Sequence, residues 1–150
     1  MRTGEPRPIL KTPEDIYGYL APIMCGLPRE QFRVLCLNSR NALIADIQVA
    51  QGSITQCPVD PRDVFSAAIT SKASAIILAH NHPSGDPTPS VADLELTRQL
   101  VQGAHLFCIR VLDHMVFGDW SFSSLARRGD LSSIGFEVKE NKWHAHGGQR

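Results

Sequence analysis

The stretch from Ala75 to Ser90 limits what this chain can fold into more than any other. Ala75-Ile76-Ile77-Leu78-Ala79 is a short apolar run with no alternation. Such a run marks a central strand covered on both faces. It passes directly into His80-Asn81-His82-Pro83-Ser84-Gly85-Asp86-Pro87-Thr88-Pro89, a polar loop stiffened by three prolines. Ser90 then reads as the cap of a helix running to about Gly103, with Leu94, Thr97, Leu100 and Val101 along one face. A buried strand followed by a capped amphipathic helix needs a sheet to pack on, which points to an α/β or α+β domain.

The rest of the chain supplies that sheet. Residues 1–11 read as a flexible arm, with Pro6 and Pro8 blocking regular structure. Thr12 opens a helix with Pro13 in its first turn and Glu14 and Asp15 at the positive end of the dipole. Ile16, Leu20 and Ile23 give that helix an apolar side, and Pro22 is expected to kink or end it. Residues 30–37 and 42–50 read as a strand hairpin turning at Asn38 to Asn41. Asp60, Pro61 and Asp63 repeat the helix-start grammar, with Val64, Ala68 and Ile69 on one side. A strand near Leu106–Leu112, a turn at Asp113-His114, a short strand at Met115–Phe117 and a short helix from Ser123 to Arg128 closed by Gly129 complete the pattern. At 150 residues and 16.5 kDa this is one domain, read as 12–138, followed by a loose tail at 139–150.

Composition removes several classes. The 43% hydrophobic and 20% charged content excludes a disordered chain, a collagen and a coiled coil. Fifteen basic and fifteen acidic residues cancel, and the arginines are scattered, so no global positive field argues for nucleic acid. Cys25, Cys36, Cys57 and Cys108 form no C-x-x-C and read as reduced cysteines of a cytoplasmic protein. No signal peptide and no membrane-length apolar run is read from the chain.

Chemistry concentrates in His80-x-His82, seven residues, Ser90, two residues and Asp93. Residues i and i+2 at a strand end point the same way. Two imidazoles so placed can hold one metal ion from one side, and a loop folded back by prolines can bring Asp93 to them. Two nitrogens and one carboxylate leave the fourth tetrahedral position of zinc open for water, the composition of a catalytic site. Bound zinc lowers the pKa of that water to ~7. Ser90-x-x-Asp93 is equally a capping box, and a cap would also fix where Asp93 points. Other features have plainer readings. His114 could line the cleft or be a hydrogen-bonded turn residue, and His105 sits at the surface or core edge. His144-x-His146 lies in a Gly-rich tail with no carboxylate after it. Ser84 lacks a G-x-S-x-G context and reads as a loop hydroxyl near the metal. Arg127 and Arg128 suit the negative end of a helix dipole.

HNHPSGDPTPSVAD resembles the HxH-x7-S-x2-D motif of the JAMM (JAB/MPN) metalloproteases. The phrase HNHPSG, the following PS-x-x-D and the later LDHMVFG resemble the RadC family specifically, over about Thr12 to Leu131. The resemblance implies a single JAB/MPN-like domain, a curved, mostly antiparallel sheet flanked by helices and related to the cytidine-deaminase fold. Deaminase chemistry itself would need H-x-E and P-C-x-x-C, which are absent. It implies that His80, His82 and Asp93 are ligands of one zinc ion, and that Ser90 supports the bound water or the oxyanion. It implies that Glu30, otherwise a solvated strand end, is the general base of a hydrolase acting on peptide or isopeptide bonds. Longer RadC proteins carry a helix-hairpin-helix region, and only a short arm is read before Thr12, which weakens a DNA link. A DNA-associated role, as nuclease or repair accessory, and a non-catalytic zinc-stabilised binding module stand as the alternatives. The oligomeric state is left open.

Overall fold

A computed structural model describes residues 4–52 and 59–134. Its elements run α1 (Pro13–Met24), β1 (Gln31–Leu37), β2 (Leu43–Gln51), α2 (Pro61–Thr70), β3 (Ala75–Asn81), α3 (Val91–Leu106), β4 (Arg110–Phe117), β5 (Phe122–Ser124) and α4 (Leu125–Arg128). The five strands form one mixed sheet in the order β2-β1-β3-β4-β5. Among the described residues only the β3–β4 pair is parallel, and α3 makes the crossover that a parallel pair requires. The result is a small α+β domain with helices on the sheet.

The apolar run of β3 lies at the centre of the sheet, and all seven of its residues are buried. Alternation along the strands then sorts side chains into two cores. One face carries Leu35, Leu37, Ile77, Ala79, Met115 and Phe117 against Ile16, Leu20 and Met24 of α1. The opposite face carries Phe32, Val34, Ile76 and Leu78 against Val64, Ala68, Leu100 and Ala104 of α2 and α3. Fully burying each large aliphatic side chain contributes ~1.5–3 kcal/mol. His80 and His82 extend the even-numbered face of β3, so they emerge on the side where α3 begins.

Local signals explain the boundaries. Thr12 and Ser90 each close a complete capping box, with Asp15 and Asp93 reaching back to the cap backbone. Helix α1 continues past Pro22 to Met24. Leu20 and Met24 are both fully buried, and that packing outweighs the one hydrogen bond the proline forfeits near the helix end. The strand–turn–strand reading of residues 106–117 is corrected to one strand, β4. Asp113 and His114 lie inside it, paired with Ile77 and Leu78. The polar pair is tolerated because the Asp113 carboxylate is satisfied: it accepts from His114 N at 2.7 Å, Ala126 N at 3.0 Å and Ser124 Oγ at 2.6 Å. A register shift between Ile76 and Ile77 in the β3–β4 ladder skips Leu112 and sets the face on which His114 sits.

The end of the segment read as an arm is tied down: Ile9 bridges Ala42, and Leu10 is buried in the α1 core. Arg127 makes a two-pronged ion pair with Glu14 at 2.6 and 2.8 Å, linking α4 to α1. That pair holds the Glu14 carboxyl down to about 2. The tail at 139–150, with His144 and His146, lies outside the described residues, as does Cys57.

Candidate metal centre

The site forms where β3 ends and α3 starts. His80 on β3 and His82 just past its end turn their rings together, and α3 turns the face Asp93, Thr97, Leu100, Ala104 toward the sheet. The helical spacing that buries Leu100 and Ala104 therefore carries Asp93 to the imidazoles. Its two oxygens divide between them, with Oδ1 3.1 Å from His80 Nε2 and Oδ2 3.0 Å from His82 Nε2. The two Nε2 atoms are themselves 3.1 Å apart. Ser90 holds the carboxylate in place, its backbone N donating to Asp93 Oδ2 at 2.8 Å while its Oγ accepts from Asp93 N at 3.0 Å. The cap and the cluster are one arrangement.

Glu30 arrives from the other side. It precedes β1, and β1 pairs with β3 so that Phe32 faces His80. One ligand atom from each of Glu30, His80 and His82 lies within 4.8 Å of the others, a group able to hold a metal ion. Asn81, between the two histidines, clamps this segment: its Nδ2 donates to Arg29 O at 3.0 Å and its Oδ1 accepts from Gln31 N at 2.8 Å. The main chain on both sides of Glu30 is thus fixed to the end of β3. Sequence reasoning passed over Asn81; a buried polar residue between two strand-end histidines was the available signal.

The loop from His82 to Pro89 is built to hold its shape. His82 N donates to Phe117 O at 2.8 Å, and Gly85 N closes a turn onto His82 O at 3.0 Å. Gly85 has φ +91°, a region open to glycine at little cost. His82 Nδ1 donates to the Asp86 carbonyl at 2.9 Å, which in the neutral ring leaves Nε2 bare toward Asp93 and His80. Gly118 presses on the loop so closely that an added Cβ would lie 2.3 Å from Gly85 O and 2.8 Å from Pro87 Cδ. Gly118→Ala must therefore displace the backbone that carries His82. It is expected to lower unfolding stability by ~1–3 kcal/mol, measured as a fall in the urea midpoint. Beside the loop a cleft of about 240 Å³ is lined by Met24, Leu27, Pro28, His82, Ser84 and Asp119.

The electrostatics follow from this packing. Burial alone would raise Asp93, but the His80 and His82 rings, which donate to it when they are protonated, outweigh that effect and hold the carboxyl well below its usual range. The same bond to Asp93 raises His82 against the opposing effect of burial. Burial raises Glu30, with the nearby histidines offsetting part of the effect. His114 is fully buried in β4 and is not a turn residue, and burial holds it well below the ordinary histidine value. Its Nε2 lies 2.8 Å from His80 Nδ1, behind the site. Ser84 lines the cleft, and its Oγ accepts weakly from Asp86 N at 3.4 Å.

The donor set suits a divalent ion. Two imidazoles and a carboxylate turn toward one point, at which Nε2 of neutral His82 offers only a lone pair. Three acceptors aimed at each other repel unless a proton or a cation lies between them. Among the described residues no helix is long and apolar enough to cross a membrane.

Residues 10–130 match the family described as RadC-like JAB domain. A UPF0758 protein of Moorella thermoacetica is 46% identical over 125 residues, covering 83% of this chain and 55% of that protein. A UPF0758 protein of Symbiobacterium thermophilum is 48% identical over 123 residues, covering 82% of this chain and 53% of that protein. A third, from Caldanaerobacter subterraneus, is 47% identical over 118 residues, covering 79% and 51%. The chain spans about half the length of these curated relatives.

Proposed function

This chain belongs to the RadC-like JAB domain family, and on that premise we propose that it is a zinc-dependent hydrolase of peptide or isopeptide bonds. The observation that carries this reading is the convergence of His80, His82 and Asp93, with a Glu30 carboxylate oxygen, just ahead of β1, within 4.8 Å of a ring nitrogen of each histidine. His80 Nε2, His82 Nε2 and an Asp93 oxygen would hold the ion. When bound, zinc supplies a water acidified to ~7 and polarises the scissile carbonyl.

The chain's own groups do the remaining work. The Glu30 carboxylate, raised by burial, takes the proton of the attacking water and passes it to the leaving nitrogen. Asn81 keeps Glu30 at the edge of the site. Because Ser90 Oγ accepts its hydrogen bond from Asp93 N, its hydroxyl proton is left to donate to a developing oxyanion. The cleft beside His82 offers Leu27 and Pro28 together with Asp119, a lining that fits a peptide side chain.

The test is hydrolysis of a panel of peptide and isopeptide substrates by the zinc-loaded protein. A chelator is expected to abolish turnover and stoichiometric zinc to restore it. Turnover that survives full removal of metal would contradict the reading. Cleavage of DNA in place of peptides by the same zinc-loaded protein would reassign the substrate class.

A further inference from the structure

Behind the site runs a buried chain of hydrogen-bonding groups whose direction can be read from its fixed end. Thr97, 0% exposed on α3, donates to the Asp93 carbonyl at 2.7 Å. A carbonyl only accepts, so the single Thr97 proton is spent there. Thr97 Oγ1 also makes a short contact with His114 Nδ1. With its own proton engaged, Oγ1 accepts, which puts the His114 proton on Nδ1. Neutral His114 then presents a bare Nε2 to His80 Nδ1 at 2.8 Å, and it accepts from that nitrogen. The His80 proton therefore sits on Nδ1, and its Nε2 lone pair points at Asp93 Oδ1 and His82 Nε2.

Run the other way, the same chain would disarm the site. If Thr97 donated to His114 Nδ1, His114 would donate from Nε2 to His80 Nδ1. The only proton of neutral His80 would then lie on Nε2, where a metal has to bind. Both directions carry the same number of protons, so what chooses between them is the bond from Thr97 to the Asp93 carbonyl. Phe32 stacks on His80 at 5.8 Å and meets His114 edge-on at 5.5 Å, which keeps both rings from turning to escape the choice.

We propose that Thr97 and His114 are positioning residues that set the tautomer of His80 and hence the metal affinity of the site. The proposal rests on the reading of His80 as a ligand. It goes beyond that reading by assigning a purpose to two buried polar groups that touch no substrate. Metal-bound histidines ordinarily give their outer N–H to a carboxylate or carbonyl. Here a second neutral histidine receives it and passes the constraint to α3, the helix that carries Asp93.

The test is a zinc competition titration of the unsubstituted protein, Thr97→Val, Thr97→Ser and His114→Gln, with folding checked by circular dichroism. It is paired with proton–nitrogen spectra of the histidine rings in the unsubstituted, zinc-loaded protein. Thr97→Val keeps the side-chain shape and is expected to weaken zinc binding roughly 10–100-fold, the usual cost of losing an outer partner of a ligand. Thr97→Ser and His114→Gln keep an acceptor in place and should retain most of the affinity. The spectra should show His80 and His114 each protonated on Nδ1, a reading that stands even if a variant fails to fold. Equal zinc affinity in folded Thr97→Val, or a zinc-loaded His114 protonated on Nε2, would overturn the relay and leave the metal site standing. Failure of the unsubstituted protein to take up zinc would overturn the metal site itself and the relay with it.

Discussion

Glu30→Gln is expected to leave zinc in place and cut hydrolysis ~10²–10⁴-fold, the usual contribution of a positioned general base. Gln has the size and shape of Glu, and Asn81 fixes the backbone on both sides of it, so the amide should occupy the carboxylate's place. What it lacks is a group that can take a proton. Zinc content and turnover measured on one preparation separate the roles. Unchanged zinc with collapsed turnover assigns Glu30 to proton transfer. Loss of zinc would make it a ligand, and turnover within a few-fold of the unsubstituted protein would leave it no role.

His82→Ala should have the largest effect on stability when metal is present. A ligand that binds only the folded state, at 1,000 times its Kd, stabilises by about 4.1 kcal/mol. For a chain of 150 residues that raises Tm by roughly 8–16 °C. Losing a direct ligand should cost at least the ~100-fold upper figure for an outer-shell partner. At the same zinc concentration the variant is left with about 1.4 kcal/mol, or roughly 3–6 °C. Without metal the gap should narrow, since what remains to be lost is the contact between His82 Nε2 and Asp93 Oδ2 at 3.0 Å that raises the His82 ring. Thermal melts with and without zinc check both halves. A metal-free His82→Ala protein that melts far below the unsubstituted one would instead give His82 a structural role.

Parts of this site were legible in the sequence because local signals coincide there. The apolar run of β3 announces a buried strand, period-2 geometry pairs His80 with His82, and Ser90-x-x-Asp93 announces a cap. The cap turned out to be the device that aims Asp93. Contacts distant in sequence were not legible. Asn81 acts on residues 52 and 50 positions away, Arg29 and Gln31. Asp113 and His114 looked like a turn because a charged residue and a histidine interrupt an apolar strand. Their acceptability depends on Ser124 and Ala126, which only the fold brings near. Thr97 was recognised as part of the buried face of α3, but nothing local says that its hydroxyl meets a histidine from β4. Pro22 does not stop α1 at once, since tertiary burial of Met24 carries the helix two residues past it.

An anomalous-scattering map of zinc-loaded crystals at the zinc edge tests the central claim most directly. It should show a single peak ~2.0–2.2 Å from His80 Nε2, His82 Nε2 and one Asp93 oxygen, with the remaining position taken by water on the Glu30 side. No peak at that point, or a peak whose fourth position is filled by another protein atom, would contradict a hydrolytic metal centre in this chain.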